Sequence, residues 1–234
     1  MKLRFVLFLA LIPLMYACDC IQGEGELMTE KRDISGFNRI NLDLSARVIL
    51  SQDSNFSLMI EAQQNILDNL RTDVKGGELE IDFDEICLMS HEPITIFISM
   101  PEIKGLEVNS SGMIISKRPI KTDKIYFEVD GSGDIRVELK AEKVSAEIDG
   151  SGEIELAGAC KSLKVEIDGS GDFYGLDLKS SDVEVSISGS GNCTVFALDE
   201  LHAYINGSGD IRYKGDPDIN TNISGSGSIN KIKR

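Results

Sequence analysis

The second half of the chain repeats a Ser-Gly or Gly-Ser-Gly step at a nearly constant interval. Seven serines mark the repeat, at Ser111, Ser132, Ser151, Ser170, Ser190, Ser208 and Ser226. The steps between them are 21, 19, 19, 20, 18 and 18 residues. A fixed period of this kind is typical of a solenoid, in which each repeat forms one coil that stacks on the previous coil.

Apolar and polar residues alternate on both sides of each turn. Before one turn, Val165 and Ile167 alternate with Lys164 and Glu166, which is the pattern of a strand with one buried side. We therefore predict an all-β fold, a parallel β-solenoid of about seven coils of ~19 residues. The apolar pairs before the turns should stack in register, except that Tyr204-Ile205 breaks the phase by one residue and suggests a bulge there.

The glycines of the turns have a steric explanation. A turn that repeats between stacked parallel strands brings backbones close together and favours a positive φ, which glycine adopts without strain. We expect the serine between them to bond to the backbone of a neighbouring coil or to its equivalent serine. The predicted structural turn residues are Gly131, Gly133, Gly150, Gly152, Gly169, Gly171, Gly189, Gly191, Gly207, Gly209, Gly225 and Gly227.

The chain before the repeat is less regular. We divide the sequence into a signal peptide at 1–17, a tether at 18–30, a β-rich part at 31–108 and the solenoid at 109–234. Gln63–Leu70 has the spacing of one or two helical turns, and Gly76-Gly77 predicts a turn. Strands are predicted at Phe37–Leu42, Ala46–Leu50, Phe56–Ala62, Glu78–Phe83, Ile94–Met100 and Gly105–Val108.

The first residues read as an export signal. Lys2 and Arg4 precede an apolar run from Phe5 to Leu14, which is too short to span a bilayer. The sequence Met15-Tyr16-Ala17-Cys18 resembles the lipobox of bacterial lipoproteins, and this resemblance implies acylation of Cys18 with fatty acids such as palmitate. An ordinary secretory signal is the alternative. A lipoprotein would be anchored in the bacterial cell envelope, at the outer membrane, facing either the periplasm or the outside.

The charge of the chain excludes one class of partner. Without Lys2 and Arg4, 22 basic residues oppose 39 acidic ones, a net charge of −17. Such a chain repels nucleic acid and anionic lipid headgroups, so the membrane contact is assigned to the lipid anchor. Cys87, Cys160 and Cys193 are interpreted as unpaired small apolar residues, since the core is large enough without disulfides.

Several segments together resemble a known family. They are the opening strand Phe37-Asn-Arg-Ile, the segment Asn65-Ile-Leu-Asp, the ordered Gly-Ser-Gly turns and Tyr213-Lys-Gly215 near the end. Over residues 31–230 the chain is similar to the auto-transporter adhesin head GIN domain family, DUF2807. The resemblance implies a secreted or lipid-anchored bacterial β-solenoid with an adhesin-like role and no catalytic residues.

Acidic residues flank three successive turns. They are Asp130, Asp134, Asp149, Glu153, Asp168 and Asp172, and stacking would place them in columns at ~4.8 Å spacing. In one interpretation these carboxylates cap the N–H groups of the turns and extend into solvent. In the other they bind Ca²⁺ between adjacent coils together with carbonyl oxygens. No other cofactor is predicted.

The sequence offers little evidence of a catalytic motif. His91 and His202 lack metal-ligand spacing, and Ser228-Ile-Asn-Lys231 has no companion motif. We therefore predict a binding or adhesin-like envelope module that is not an enzyme. An envelope scaffold or stress-sensing subunit is the alternative, and a polysaccharide-acting β-helix enzyme is a third hypothesis. The sequence leaves open whether the ligand is protein or glycan and whether the chain forms a homo-oligomer.

Overall fold

A computed structural model describes residues 20–83 and 87–233, with Cys87 described by its backbone alone. Strands make up 71% of the fold and helix 2%, so the all-β prediction is confirmed. The predicted signal peptide and Cys18 lie outside the described residues. No helix in the described ranges has the length and hydropathy needed to span a bilayer.

The N-terminal part, in its described residues 20–83 and 87–100, contains nine strands and one short helix. In chain order they are β1 (Cys20–Ile21), β2 (Leu27–Arg32), β3 (Arg39–Leu42), β4 (Arg47–Gln52), β5 (Ser57–Gln63), α1 (Gln64–Leu67), β6 (Leu70–Lys75), β7 (Glu78–Phe83), β8 (Cys87–Leu88) and β9 (Thr95–Met100). Most of the predicted strands are present within one or two residues of their expected bounds.

The repeat region contains ten further strands. They are β10 (Gly105–Val108), β11 (Met113–Ser116), β12 (Ile120–Gly131), β13 (Asp134–Gly150), β14 (Glu153–Gly169), β15 (Asp172–Gly189), β16 (Asn192–Gly207), β17 (Asp210–Lys214), β18 (Asp218–Gly225) and β19 (Ser228–Lys231). Neighbouring coils pair in parallel and in register, so that Gly131, Gly150, Gly169, Gly189 and Gly207 stack in one column. The predicted β-solenoid is confirmed.

Two bends can be placed in the coils of strands β12 to β15 from the pattern of burial. One bend is the Gly-Ser-Gly turn. At the other, which we call the second bend, the alternation of buried and exposed residues shifts by one, because two successive residues both face outward. In strand β13 these residues are Glu142 and Lys143.

The core is made of apolar columns that run through the stack. In one column Val129, Ile148, Ile167, Ile187 and Ile205 stack coil on coil, and each is at most 2% exposed. Burial of a side chain of this size stabilises a fold by roughly 1.5–3 kcal/mol. Branched aliphatic residues fill a narrow interior well, which explains how a chain without tryptophan builds a continuous core.

The Gly-Ser-Gly turns join adjacent coils through their backbones. The amides of Ser151 and Ser170 donate to the carbonyl oxygens of Gly131 and Gly150, both at 2.8 Å. A Cβ on Gly169 would lie 2.6 Å from the carbonyl oxygen of Gly150, and its φ is +124°. The glycine explanation therefore holds, whereas the repeat serines from Ser132 to Ser226 bond to the neighbouring coil through their backbone amides. A hydroxyl contact between coils comes from Ser228, which donates to Asp210 Oδ1.

The stack continues into the N-terminal part, so the predicted boundary at 108/109 does not divide the structure. Strands β3 and β4 pair in parallel with β10 and β11, and on their other side with β7 and β9. The chain thus adds coils in both directions from the layer of β3 and β4. Sequence reasoning missed this arrangement because these coils lack the Gly-Ser-Gly turn.

Antiparallel strands cover the N-terminal end of the stack. Strand β5 pairs antiparallel with β9 and β2, and β6 forms a hairpin with β7 through Gly76-Gly77. Two expectations are corrected here. The helix ends at Leu67 rather than Leu70, because Leu70 begins β6. Residues 27–30 of the predicted tether belong to β2 and pair with β5.

The phase of the repeat is regular where a bulge was expected. Ala203 and Ile205 occupy the inward positions, while Tyr204 points outward and is 37% exposed. The predicted bulge at Tyr204-Ile205 is therefore absent, since both residues pair in register with the preceding coil. Register shifts lie instead between Gly175 and Lys179 and between Ser180 and Asp182, on the way to the second bend.

The cysteines divide into buried thiols and a disulfide. Cys160 and Cys193 are free and buried, as predicted, and burial raises the pKa of both thiols. Cys20 is disulfide-bonded, which corrects the expectation that the fold needs no disulfide. Its backbone lies opposite that of Cys87 in the parallel pair β1–β8. The side chain of Cys87 lies outside the described part of the chain.

Substitution of a stacked glycine tests the close contact between coils. We expect Gly169→Ala to destabilise the fold by more than ~3 kcal/mol, because the new Cβ meets the Gly150 carbonyl in addition to the unfavourable φ. Gly36→Ala is the matched control, since Gly36 also has a positive φ of +84° but nothing within 4 Å of the added Cβ. Urea unfolding of both variants measures the difference. Equal losses would show that φ alone requires glycine.

Candidate functional site

The acidic residues beside the turns form the predicted columns. Asp130 lies opposite Asp149, which lies opposite Asp168, on the side before the turn. After the turn, Asp134, Glu153 and Asp172 align in the same way. The structure therefore brings all six predicted carboxylates to one edge of the stack.

Several of these carboxylates have partners within the protein. Asp172 Oδ1 accepts hydrogen bonds from the amide and the side-chain nitrogen of Asn192, both at 2.9 Å. Two coils further on, at the equivalent position, Asp210 Oδ1 accepts from the amide and the hydroxyl of Ser228. Asp134 lies 3.5 Å from the guanidinium of Arg136. These contacts agree with the capping interpretation of the acidic residues.

No group of three or more His, Cys, Asp or Glu side chains within residues 20–83 and 87–233 is arranged to hold a metal ion. Calcium binding at the columns therefore stays a prediction from the sequence. The hydrogen bonds of Asp172 and Asp210 give these carboxylates a structural role that needs no ion.

A groove lined by lysines lies on the second bend. We call it the lysine groove, and it encloses about 660 Å³. It spans the second bends of successive coils and the segment before β10. Its lining residues are Glu102, Lys104, Thr122, Asp123, Lys124, Ile125, Tyr126, Lys143, Val144, Ser145, Ser162 and Lys164.

Two of the four lysines are paired and two are not. Lys104 Nζ lies 2.9 Å from Glu102 Oε1, and Lys164 Nζ lies 2.8 Å from Glu166 Oε1. In the described part of the chain, no carboxylate pairs with the ammonium groups of Lys124 or Lys143, which are both exposed. These two lysines are therefore available to an external anion.

The two unpaired lysines stack directly on each other. Lys124 lies opposite Lys143 in adjacent coils, and Lys121 lies opposite Lys140 three residues earlier. Like charges at a spacing of ~4.8 Å repel by about 1 kcal/mol even at the dielectric constant of water. Parallel in-register stacking therefore brings lysines of adjacent coils together, with the exposed carboxylates of Asp123 and Glu142 beside them.

A hydrogen-bonded network fixes one side of the groove. The hydroxyl of Tyr126 donates to Glu107 Oε2 at 2.8 Å, and Asn109 donates to Glu107 Oε1 at 2.9 Å. Burial and the adjacent Glu107 raise the pKa of the Tyr126 hydroxyl well above its usual range. Gly105 leaves room for the ring, because a Cβ there would lie 2.8 Å from it. The tyrosine is thus held as a neutral, fixed ring.

An acidic column runs beside the groove. Glu107, Glu128, Glu147 and Glu166 occupy the same position in four successive coils. Burial and the neighbouring Glu107 raise the pKa of Glu128. The positive surface is therefore narrow, with negative charge along its border.

Sequence reasoning missed the lysine groove, although a signal was present. The spacing Lys-x-x-Lys occurs three times, at Lys121/Lys124, Lys140/Lys143 and Lys161/Lys164. The first two pairs are in register, but Lys161 and Lys164 are shifted by two positions relative to them. Only the register shows which of these lysines lie side by side.

The family comparison gives the identity of the fold. The family model described as "Putative auto-transporter adhesin, head GIN domain" matches residues 36–217. The chain belongs to this family. The match includes the layer of β3 and β4 and the whole lysine groove, so both are parts of the GIN domain. No curated protein matches the chain.

Solved structures share the architecture of this GIN domain. A "putative adhesin" from Bacteroides fragilis is 25% identical, with a TM-score of 0.87 over 91% of this chain and 100% of that chain. A "putative lipid binding protein" from Parabacteroides distasonis is 30% identical, with a TM-score of 0.77 over 92% of this chain and 100% of that chain. A "putative adhesin" from Parabacteroides merdae, 24% identical with a TM-score of 0.74, covers 92% of this chain and 100% of its own, and it supports the fold alone.

Chelation distinguishes the two interpretations of the acidic columns. We expect excess EDTA to leave the melting temperature unchanged, because Asp172 and Asp210 already bond to the next coil. Differential scanning calorimetry with and without EDTA, followed by Ca²⁺, measures this. A melting temperature that falls on chelation and recovers with Ca²⁺ would assign an ion to the columns, and Asp149→Asn should then abolish the recovery.

Proposed function

We propose that this GIN-domain protein is a non-catalytic, adhesin-like binding module of the bacterial cell envelope. The observation that carries the proposal is the lysine groove, which presents unpaired cations on a rigid stack of coils. The proposal is also supported by the membership of the chain in an adhesin family and by the similar "putative adhesin" structures. A stack held by in-register backbone bonds presents such a surface without a cost of ordering.

Among the described side chains, the histidines and cysteines, which often act in catalysis, are either paired with neighbouring groups or buried. His91 Nδ1 lies 2.7 Å from the carbonyl oxygen of Glu92, and His202 lies 3.6 Å from Glu200. The buried thiols of Cys160 and Cys193 have raised pKa values, which disfavours a thiolate nucleophile. These surroundings support binding rather than turnover.

Envelope attachment through Cys18 is part of the proposal. It rests on the sequence Met15-Tyr16-Ala17-Cys18 and on the export signal before it. With a net charge of −17 after removal of the signal, the body of the protein is repelled by anionic headgroups. Two or more acyl chains would hold the protein at the membrane while the acidic stack projects away from it.

A binding array tests the proposed function. The purified chain in a non-ionic detergent should bind a subset of glycans or envelope and matrix proteins, in a manner that high salt weakens. Weakening by salt is expected because the candidate groove is lined by exposed lysines. Turnover of a polysaccharide in the same samples, measured as new reducing ends, would contradict the non-catalytic proposal. Failure to bind any arrayed ligand would contradict the binding proposal itself.

Metabolic labelling tests the anchor. We expect cells that express the protein to incorporate radioactive palmitate into it, and Cys18→Ser to abolish the label, since the thiol is the proposed acylation site. Cys20→Ser is the matched control, because it removes a cysteine two residues away that is engaged in a disulfide. Label that persists in Cys18→Ser would overturn the assignment of Cys18.

A further inference from the structure

We propose that the lysine groove is a binding site for acidic saccharides, in which Lys124 and Lys143 hold carboxylate or sulfate groups of the ligand. This inference rests on the proposed binding function and deepens it by naming the site and the chemical class of the ligand. Four features of the groove support it: its unpaired charge, its neutral polar lining, its own carboxylates and its narrow width.

The unpaired charge is the first feature. Some basic side chains elsewhere in the fold meet an acidic partner on a neighbouring strand, as Arg39 does with Glu78 and Lys75 with Glu80. In the groove, Lys124 meets Lys143, and the adjacent Lys121 meets Lys140. Stacking of cations is unfavourable for the isolated protein, and a bound anion would relieve it. The arrangement therefore points to a ligand with negative charge.

The neutral lining points to a ligand that also carries hydroxyl groups. The side chains of Ser145 and Ser162 line the groove. The ring of Tyr126, whose hydroxyl is engaged by Glu107, offers an apolar surface. Hydroxyl groups beside a fixed aromatic ring suit the polar edge and the C–H face of a sugar.

The carboxylates in the groove argue against a ligand that is anionic throughout. Glu102 and Asp123 both line it, and they would repel a polyphosphate. A carboxylate accepts hydrogen bonds from sugar hydroxyls, and such charge-assisted bonds are stronger than neutral ones. The lining as a whole therefore matches a molecule that has separated negative charges among many hydroxyls.

The width of the positive surface argues against a membrane or a duplex. The column of Glu107, Glu128, Glu147 and Glu166 begins only four residues from Lys124 along the strand, about 13 Å at the rise of a strand. A flat anionic bilayer or a nucleic acid that contacts the lysines would also approach these carboxylates. A slender saccharide could contact the adjacent Lys124 and Lys143 without reaching them.

Binding of defined oligosaccharides tests the proposal. The probes are an oligogalacturonate, its methyl ester as a neutral analogue of the same sugar, and a sulfated chondroitin oligosaccharide, each measured by isothermal titration calorimetry with the purified chain in non-ionic detergent. We expect the acidic oligosaccharides to bind and the methyl ester to bind at least roughly tenfold more weakly. Polyphosphate, single-stranded DNA and vesicles that contain phosphatidylglycerol serve as the competing anions.

Variants locate the binding site. The double variant Lys124→Ala/Lys143→Ala should lose roughly tenfold or more in affinity, whereas Lys124→Arg/Lys143→Arg should retain most of it. The control Lys31→Ala/Lys233→Ala removes the same charge from two exposed lysines outside the groove and should bind as the unaltered chain does. Circular dichroism checks that each variant is folded, and removal of the stacked cations should not lower the melting temperature.

The outcomes separate this inference from the proposed function. If the double alanine variant binds the oligogalacturonate as tightly as the unaltered chain, the groove is not the site, although the module still binds. If polyphosphate, DNA or the vesicles bind more tightly than the acidic oligosaccharides, the ligand class is wrong. If the chain binds none of these probes but binds other arrayed ligands, the inference fails and the proposed function stands.

Discussion

The contact between backbones at the Gly-Ser-Gly turns is the constraint on which the rest of the structure depends. From Gly131 to Gly207, the carbonyl oxygen of the first glycine of each turn accepts a hydrogen bond from the serine amide of the next coil, at 2.8–2.9 Å. Any side chain at the glycine would enter this contact. The bond therefore fixes the register of each coil, and the register places every residue beside its equivalent one repeat later.

Such stacking places equivalent residues of a repeated sequence in columns. It does so whether the contact between them is favourable or unfavourable. Apolar columns become the core, whereas charged columns bring like charges together. The like charges at the two edges of the stack differ in whether they have partners within the protein. At the turns, acidic residues such as Asp172 are satisfied by donors from the next coil. At the second bend, Lys124 and Lys143 remain without a partner among the described residues, which is why this surface is the candidate for ligand binding.

The N-terminal part shows where reasoning from the sequence reaches its limit. The strand bounds Glu78–Phe83 and Gly105–Val108 were predicted as they occur, because local alternation is enough to indicate a strand. Strand β6 was missed, since Leu70 was assigned to the helical segment by its spacing, whereas it begins a strand that pairs with β7. The insertion of β3 and β4 between two later layers depends on contacts more than 35 residues apart in sequence. No local pattern encodes contacts of that kind.

The sequence by itself determined the solenoid, the glycine turns and the two acidic columns, because each follows from a short pattern that recurs at one period. It also contained the three Lys-x-x-Lys segments, but which of these lysines lie side by side depended on where each coil bends. A shift of two positions separates Lys161 and Lys164 from the register of the earlier pairs. Only the tertiary structure decided that Lys124 and Lys143 lie together, that Tyr126 is fixed beside them by Glu107, and that an acidic column limits the groove. The physical reason is that a period sets the order of coils, whereas their bends and hydrogen bonds set which side chains meet.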